Sequence, residues 1–246
     1  MNARKEGLKN RLNIEDISIN FRLLHLFQIH DSAFPIGSFT QSFGMETYIQ
    51  QDRIKTKQQL IDYCQVFLDY NLVHGDGIVV KAAFEAAKEE DWERLIHLEQ
   101  LCHGMKLASE SRAASMKMGR QFLHTVMLIS QLESLTIWKQ KLDAKEVKGH
   151  YPLIYGLYAS GLNIDQKTMI LTFLYASISA IVQNAVRAIP LGQNSGVQAI
   201  YELLSSIEKA AGVVMNCTLD DISNNTLGIE MSSMEHEYLY SRLFIS

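Results

Sequence analysis

Proline is nearly absent from this 246-residue chain: Pro35, Pro152 and Pro190 stand alone, each where it can mark a helix boundary. Cysteine is as scarce. Cys64, Cys102 and Cys217 are odd in number and widely spaced, which fits reduced thiols in a cytoplasmic protein rather than a disulfide framework. There is no basic surplus: 23 Lys and Arg against 27 Asp and Glu give a net charge of -4, which argues against a nucleic-acid binder. The most apolar run, MILTFLYASISAIV at 169–182, falls short of the roughly 20 residues a bilayer span needs and is interrupted by Ser and Thr. It reads as a buried core helix. The N-terminal MNARKEGLKNR is basic, but no apolar run of signal-peptide type follows. Residues 1–15 read as a frayed tail.

Catalytic signatures are also missing. No GxxxxGK[ST] is available to cradle phosphates, and Gly37-Ser38 is not part of a GxSxG elbow. HExxH and CxxC are absent, and none of the eight histidines follows an acidic residue by three positions, as di-iron bundles require. The chain is therefore not read as an enzyme. Glu93/His97 and Glu99/His103 lie at i, i+4, with Cys102 beside His103. They read as helix-surface pairs. His97, Cys102 and His103 are the weak candidates for a metal site, and a helical metal-binding or metal-storage protein is the alternative they support. Met105, Met116 and Met118, at helical spacing, read as core filler.

What is present is helical periodicity. Ile17, Phe21, Leu24 and Ile29 mark a first helix over 14–31. Further helices are expected over 56–75 (Thr56 as N-cap, Gly75 as stop), 77–90, 91–107 (Asp91 as cap), 109–130, 152–163, 165–189, near 196–211, and from about Ser232. The 165–189 segment is apolar nearly all round, so other helices should surround it, and Ala176, Ser177, Ser179 and Ala180 would let them approach. No strand alternation, linker or internal repeat is visible. The expectation is all-α: one helical bundle domain over 16–246, with about nine to ten helices around the apolar one near 165–189.

One stretch breaks the pattern: DSAFPIGSFTQSFGMETYIQQ, residues 31–51. Pro35 pushes Phe34 out of helical dihedrals, Gly37 can turn the chain and Ser38 can cap a new helix. If that helix runs from Phe39, Phe39/Phe43 and Thr40/Gly44 form rows, with Glu46 and Tyr48 one turn later. A glycine near a helix start costs about 1 kcal/mol relative to Ala, so a close backbone approach is expected to compensate. The stretch is either a packed interhelical loop or a surface built for another protein, with aromatics for area and hydroxyls and a carboxylate for orientation.

FPIGSFTQSFGMETYI resembles the F-P-x-G-x-[FY]-x-x-S-x-G-[LM]-E signature of the UreF family of urease accessory proteins. Four more blocks agree in order: ESRAASMKMGRQF at 110–122, HYPLIYG at 150–156, NAVRAIPLGQNSGVQ at 184–198 and HEYLYSRLFIS at 236–246. Met45, where leucine is commoner, is a volume-conserving departure. The resemblance implies an all-helical, cytoplasmic, usually dimeric chaperone of urease maturation. Such a chain bridges UreD (also called UreH) and the GTPase UreG in a complex that delivers nickel to apo-urease. It carries no cofactor of its own, since GTP belongs to UreG and nickel is in transit. The resemblance also implies partner-binding roles for Phe34, Pro35, Gly37, Ser38, Ser42, Gly44, Glu46, Tyr48, Glu110, Arg112, Arg187, Gln193, His236, Leu239, Tyr240, Arg242, Leu243 and Phe244. Arg187 has a second reading, as a cation on the last carbonyls of its own helix. The C-terminal segment 232–246, written as a helix, stacks Leu239 on Leu243 and Tyr240 on Phe244. That face is expected either to fold back on its own domain or to dock on UreD.

Overall fold

Side-chain caps set several of the helix starts. Thr56 Oγ1 accepts from the Gln59 backbone N–H (3.3 Å) while Gln59 Oε1 accepts from the Thr56 N–H (3.1 Å), a reciprocal capping box. Asp91 and Asp165 cap in the same sense, accepting from the N–H groups of Arg94 and Thr168 at 2.9 Å each. The computed structural model describes residues 19–223 and 226–246; the expected 1–15 tail lies outside them. The α-helices are α1 Ile19–His30, α2 Met45–Gln50, α3 Lys57–Val66, α4 Ile78–Lys88, α5 Trp92–Met105, α6 Ser109–Ile129, α7 Glu133–Asp143, α8 Tyr151–Gly161, α9 Gln166–Ala188, α10 Gln193–Asn216 and α11 Leu227–Glu235. No β-strand occurs among the described residues. The fold is all-α, as expected.

Two expectations change. Gly75 does not stop a helix: a π-helical segment, Phe67–Gly77, joins α3 to α4 without a break. Its glycines serve packing. A Cβ on Gly77 would lie 2.7 Å from the Leu72 carbonyl oxygen and 3.0 Å from Val214 Cγ2, and one on Gly75 3.0 Å from Met105 Cε. The wider π turn with bare glycines lets α5 and α10 close on the rod. Helix α7, ESLTIWKQKLD, was not anticipated, although Glu133 in its first turn and Lys141 in its last suit the helix dipole. Its inner face buries Leu135 and Trp138.

The most enclosed element is α8, with nine of its eleven residues buried. The 23-residue α9 is by length and composition apolar enough to cross a membrane, but it packs one face on the core and leaves Tyr175 40% exposed on the other. Small residues let the neighbours reach α8: a Cβ on Gly156 would come 2.6 Å from the Val80 carbonyl oxygen, and one on Gly119 2.6 Å from the Tyr151 nitrogen. Phe122 meets Tyr151 and Tyr158 edge-on at 5.4 and 5.5 Å between ring centroids. Tyr155 OH bridges His30 Nε2 (2.9 Å) and Thr172 Oγ1 (3.0 Å).

The start of α8 is anchored by a buried polar group. Glu99 Oε1 accepts from the backbone N–H groups of Lys148 (2.8 Å), Gly149 (2.5 Å) and His150 (3.3 Å). His150, fully buried, places Nδ1 3.0 Å from Ser115 Oγ and Nε2 3.0 Å from His103 Nδ1. Burial, with Lys106 and other cations nearby, holds the His150 imidazole down at about 3 against an ordinary 6.5. Between those values the unfolded chain takes up a proton that the folded chain refuses, so stability falls as the pH drops through this window. The urea midpoint should therefore decrease on acidification below about 6.5. That slope should be shallower in His150→Gln, as denaturation curves at a series of pH values will read.

Candidate functional site

The break at 31–51 is two turns in succession. Phe34 is buried against Phe122, with ring centroids 6.0 Å apart. Gly37 takes a left-handed φ of 81°, and Ser38–Thr40 makes a single 3₁₀ turn. Phe43 (φ 49°) and Gly44 (φ 86°) are then both left-handed, and α2 begins only at Met45. The expected helix running from Phe39 does not form, because two left-handed residues in sequence end any right-handed helix. The expected close approach is at Gly44: a Cβ there would lie 2.7 Å from Ser233 Oγ and 2.9 Å from the Ile229 carbonyl oxygen. Helix α11 thus rests on the backbone of this turn, and Thr47 Oγ1 donates to the Ser232 carbonyl at 2.8 Å.

After α11 the chain makes one 3₁₀ turn, His236–Tyr238, and becomes extended at Leu239. The helical rows expected for Leu239/Leu243 and Tyr240/Phe244 are not formed. The tail instead crosses the opening stretch. The Ile245 N–H donates to the Thr40 carbonyl (2.8 Å), the Ser42 N–H to the Ser246 carbonyl, and Ser246 Oγ to Gln41 Oε1 (2.7 Å). Gln50 Nε2 donates to the Ser241 carbonyl (2.6 Å). Phe244 is buried, with the Arg187 guanidinium 5.7 Å over its ring. Arg187 Nη1 donates to the Phe39 carbonyl (2.8 Å), so this cation ties the end of α9 to the opening stretch. Asn184 Nδ2 does the same, donating to the carbonyls of Ser38 (3.2 Å) and Gln41 (2.7 Å).

Glu46 stands at the centre. Expected as a polar tip on a partner-facing surface, it is only 4% exposed. Its Oε1 accepts from the Leu243 N–H (2.6 Å) and its Oε2 from the Phe244 N–H (3.0 Å), with His236 Nε2 2.9 Å from the same Oε2. His236 is wholly buried, and its Nδ1 lies 2.6 Å from Glu110 Oε2. Arg242 Nη1 donates to the other Glu110 oxygen at 2.7 Å. Two carboxylates, one imidazole and one guanidinium from three distant segments therefore meet in one cluster. Outward the tail turns Tyr240, fully exposed, Tyr238 at 85%, and Leu243 and Ile245 at about half, interspersed with the exposed Glu237, Ser241 and Arg242. Helix α11 also leaves Leu227, Met231 and Met234 exposed.

The other expected residues divide. Pro35 is exposed, Ser42 is buried, and Leu239 is half-buried in the tail. Tyr48 is half-buried, edge-on to Tyr63 at 5.4 Å with the Arg53 guanidinium 5.5 Å over it. Arg112 turns away from the cluster and donates to the Lys106 carbonyl (2.9 Å). Gln193 is exposed at the first position of α10. Among the weak metal candidates, His97 is exposed, burial pushes the Cys102 thiol well up, and His103 faces His150. Glu99 is turned to backbone N–H groups rather than to His103. Among the described residues, no three His, Cys, Asp or Glu side chains are grouped to hold a metal ion. Gln41, Asn184 and Thr47 were not anticipated. Asn184 carried a signal, an amide on an apolar helix; Gln41 and Thr47 carried none. Behind the stretch lies a cavity of about 100 Å³ whose lining includes Phe43, Asn71, Asp76, Lys106, Ser115 and Glu230.

Because Glu46 pairs with His236 Nε2 and two tail N–H groups in a buried place, its removal leaves that nitrogen and both N–H groups without a partner. Glu46→Ala should lower stability by roughly 3–5 kcal/mol, the range for breaking one side of a buried pair. Glu46→Gln should cost less, and urea denaturation followed by circular dichroism separates the two.

The UreF family model matches residues 54–204, more than half of the chain. The UreF urease accessory protein of Sporosarcina pasteurii is 50% identical over 202 residues, 82% of this chain and 100% of that protein. Those of Lachnoclostridium phytofermentans and Actinobacillus pleuropneumoniae serotype 5b are 34% and 32% identical, each over 224 residues and 91% of this chain, covering 98% and 97% of those proteins. With its helical architecture and ordered signature blocks, the chain belongs to the UreF family of urease accessory proteins.

Proposed function

We propose that this chain serves urease maturation as an adaptor, bridging a UreD (UreH) homologue and the GTPase UreG so that nickel reaches apo-urease in a GTP-dependent step. The observation that carries this reading is the two-sidedness of the tail. His236, Phe244 and Ser246 are buried and bonded to the domain, while Tyr238, Tyr240, Leu243 and Ile245 between them point outward. An extended segment pinned on one side presents its apolar side without the ordering cost of a loose peptide. Aromatic and aliphatic residues on such a rigid base are the usual anchors of a protein interface.

The chain's part is assembly rather than chemistry. Nickel is cargo in this scheme. A cavity lined by Asn71, Asp76, Lys106 and Ser115 suits weak, exchanging polar contacts better than tight ligation. The half-exposed face of α9 around Tyr175 is proposed to pair with a second copy of the chain. Helical metal storage, the other reading, draws no support from the geometry: Glu99 is turned to backbone N–H groups and away from its i+4 neighbour His103, which faces His150, and His97 is exposed.

Co-purification with the UreD and UreG homologues of the same organism, with and without GTP, tests the proposal. Tyr238→Asp combined with Leu243→Asp should reduce UreD capture at least tenfold. Both side chains are exposed, so unfolding stability should stay within about 0.5 kcal/mol of the parent. Capture at full yield by the double variant would remove the tail from the interface.

A further inference from the structure

We propose that His236 is a protonation-controlled latch for the C-terminal tail, closed when the imidazole carries both protons and open when it loses one. The argument starts from hydrogen-bond capacity. An ionised carboxylate only accepts. Glu46 already accepts from the Leu243 and Phe244 N–H groups, and Glu110 from Arg242. Each then presents an oxygen to a different nitrogen of the same ring, at 2.9 and 2.6 Å. Both nitrogens must therefore donate, which only the imidazolium can do. In that state the cluster sums to zero: Glu46 and Glu110 negative, His236 and Arg242 positive.

Removing one proton aims a nitrogen lone pair at a carboxylate oxygen across a normal hydrogen-bond distance. It also leaves one buried negative charge uncompensated. His236 has no exposed surface, so solvent cannot relieve either cost in place. Relief must come from movement, and the attachment points decide what moves. Glu46 sits on α2 and Glu110 on α6, both packed in the domain. His236, Arg242, Leu243 and Phe244 all belong to the segment that follows α11. The charged groups facing the ring are Glu46 from α2, Glu110 from α6 and Arg242 from the tail itself. Glu237, next in sequence, is drawn away to Ser109 Oγ. Histidine is the side-chain type that gains and loses its charge between about pH 5 and pH 8. Protonation thus holds the tail down, and deprotonation on the alkaline side releases it, together with the apolar face it presents. The latch itself stands on geometry alone; its consequence for partner capture rests on the adaptor reading.

Hydrogen exchange of the full chain, followed by mass spectrometry from about pH 5 to about pH 9 and corrected for intrinsic rates, tests this. Peptides over 236–246 should lose protection at least tenfold across a single-proton transition, while the α8 peptide stays protected throughout. Glu110→Gln supplies the control that a purely structural role would not pass. Its amide can donate to Nδ1 while a neutral ring donates Nε2–H to Glu46. The tail should therefore stay protected on the alkaline side in that variant. In His236→Gln the tail should be weakly protected at every pH, with no transition. Protection that does not change with pH in the parent chain, or an alkaline transition that survives unaltered in Glu110→Gln, would overturn the latch. UreD capture is a separate readout: its absence at every pH counts against the adaptor reading and leaves the exchange result standing.

Discussion

The arrangement of the opening stretch and the C-terminal tail depends on one buried carboxylate. Glu46 is the first acidic residue of a six-residue helix, and its oxygens are shared among an imidazole and two tail N–H groups. Desolvating a carboxylate costs several kcal/mol unless its lone pairs are filled, so the segment that fills them is held tightly. The contact continues along the sequence: Ser42, Gln41 and Thr40 pair with the last residues of the chain, next to the two tail N–H groups that Glu46 holds. The opening stretch and the C-terminus are thus one structural unit, although nearly 200 positions separate their central residues.

That unit sits on a scaffold made stiff by close approach. Gly44 lets α11 touch the turn, and Gly119 and Gly156 let α6 and α4 touch α8. Each contact trades a side chain for backbone proximity, which limits how far the elements can slide. The π segment between α3 and α4 belongs to the same economy of space. Its residues Phe67, Asn71, Leu72 and Asp76 line the cavity behind the opening stretch. The Asp76 carboxylate there is neutralised by Lys106 at 2.7 Å.

Much of the helical content was legible because burial of one face imposes a 3.6-residue period on the side chains that do the burying. Thr56 and Asp91 announced their helices through chemistry confined to one turn. Gly75 misled because a glycine that ends a helix and a glycine that admits a neighbouring helix look the same in one dimension. The segment around Trp138 has helical spacing in Leu135, Trp138 and Leu142, but Leu132 stands at its N-cap with no side-chain cap, so no local chemistry announces where it begins. The tail departs from its own spacing: Leu239, Tyr240, Leu243 and Phe244 fit a helix, yet the carboxylate that accepts from the Leu243 and Phe244 N–H groups competes with the helix for them.

What the sequence determined by itself was local or collective: helix periodicity, caps, the absence of catalytic motifs, and the ordered blocks that mark the family. These depend on residues within a turn or two of one another, or on composition. Only the tertiary structure decided which polar residues are tips and which are anchors. Glu46 and Tyr240 are both expected on a partner-binding surface, and one is buried while the other is fully exposed. The difference comes from His236 and the tail N–H groups, partners contributed from the far end of the chain, and a pairing across that distance has no period or spacing to announce it.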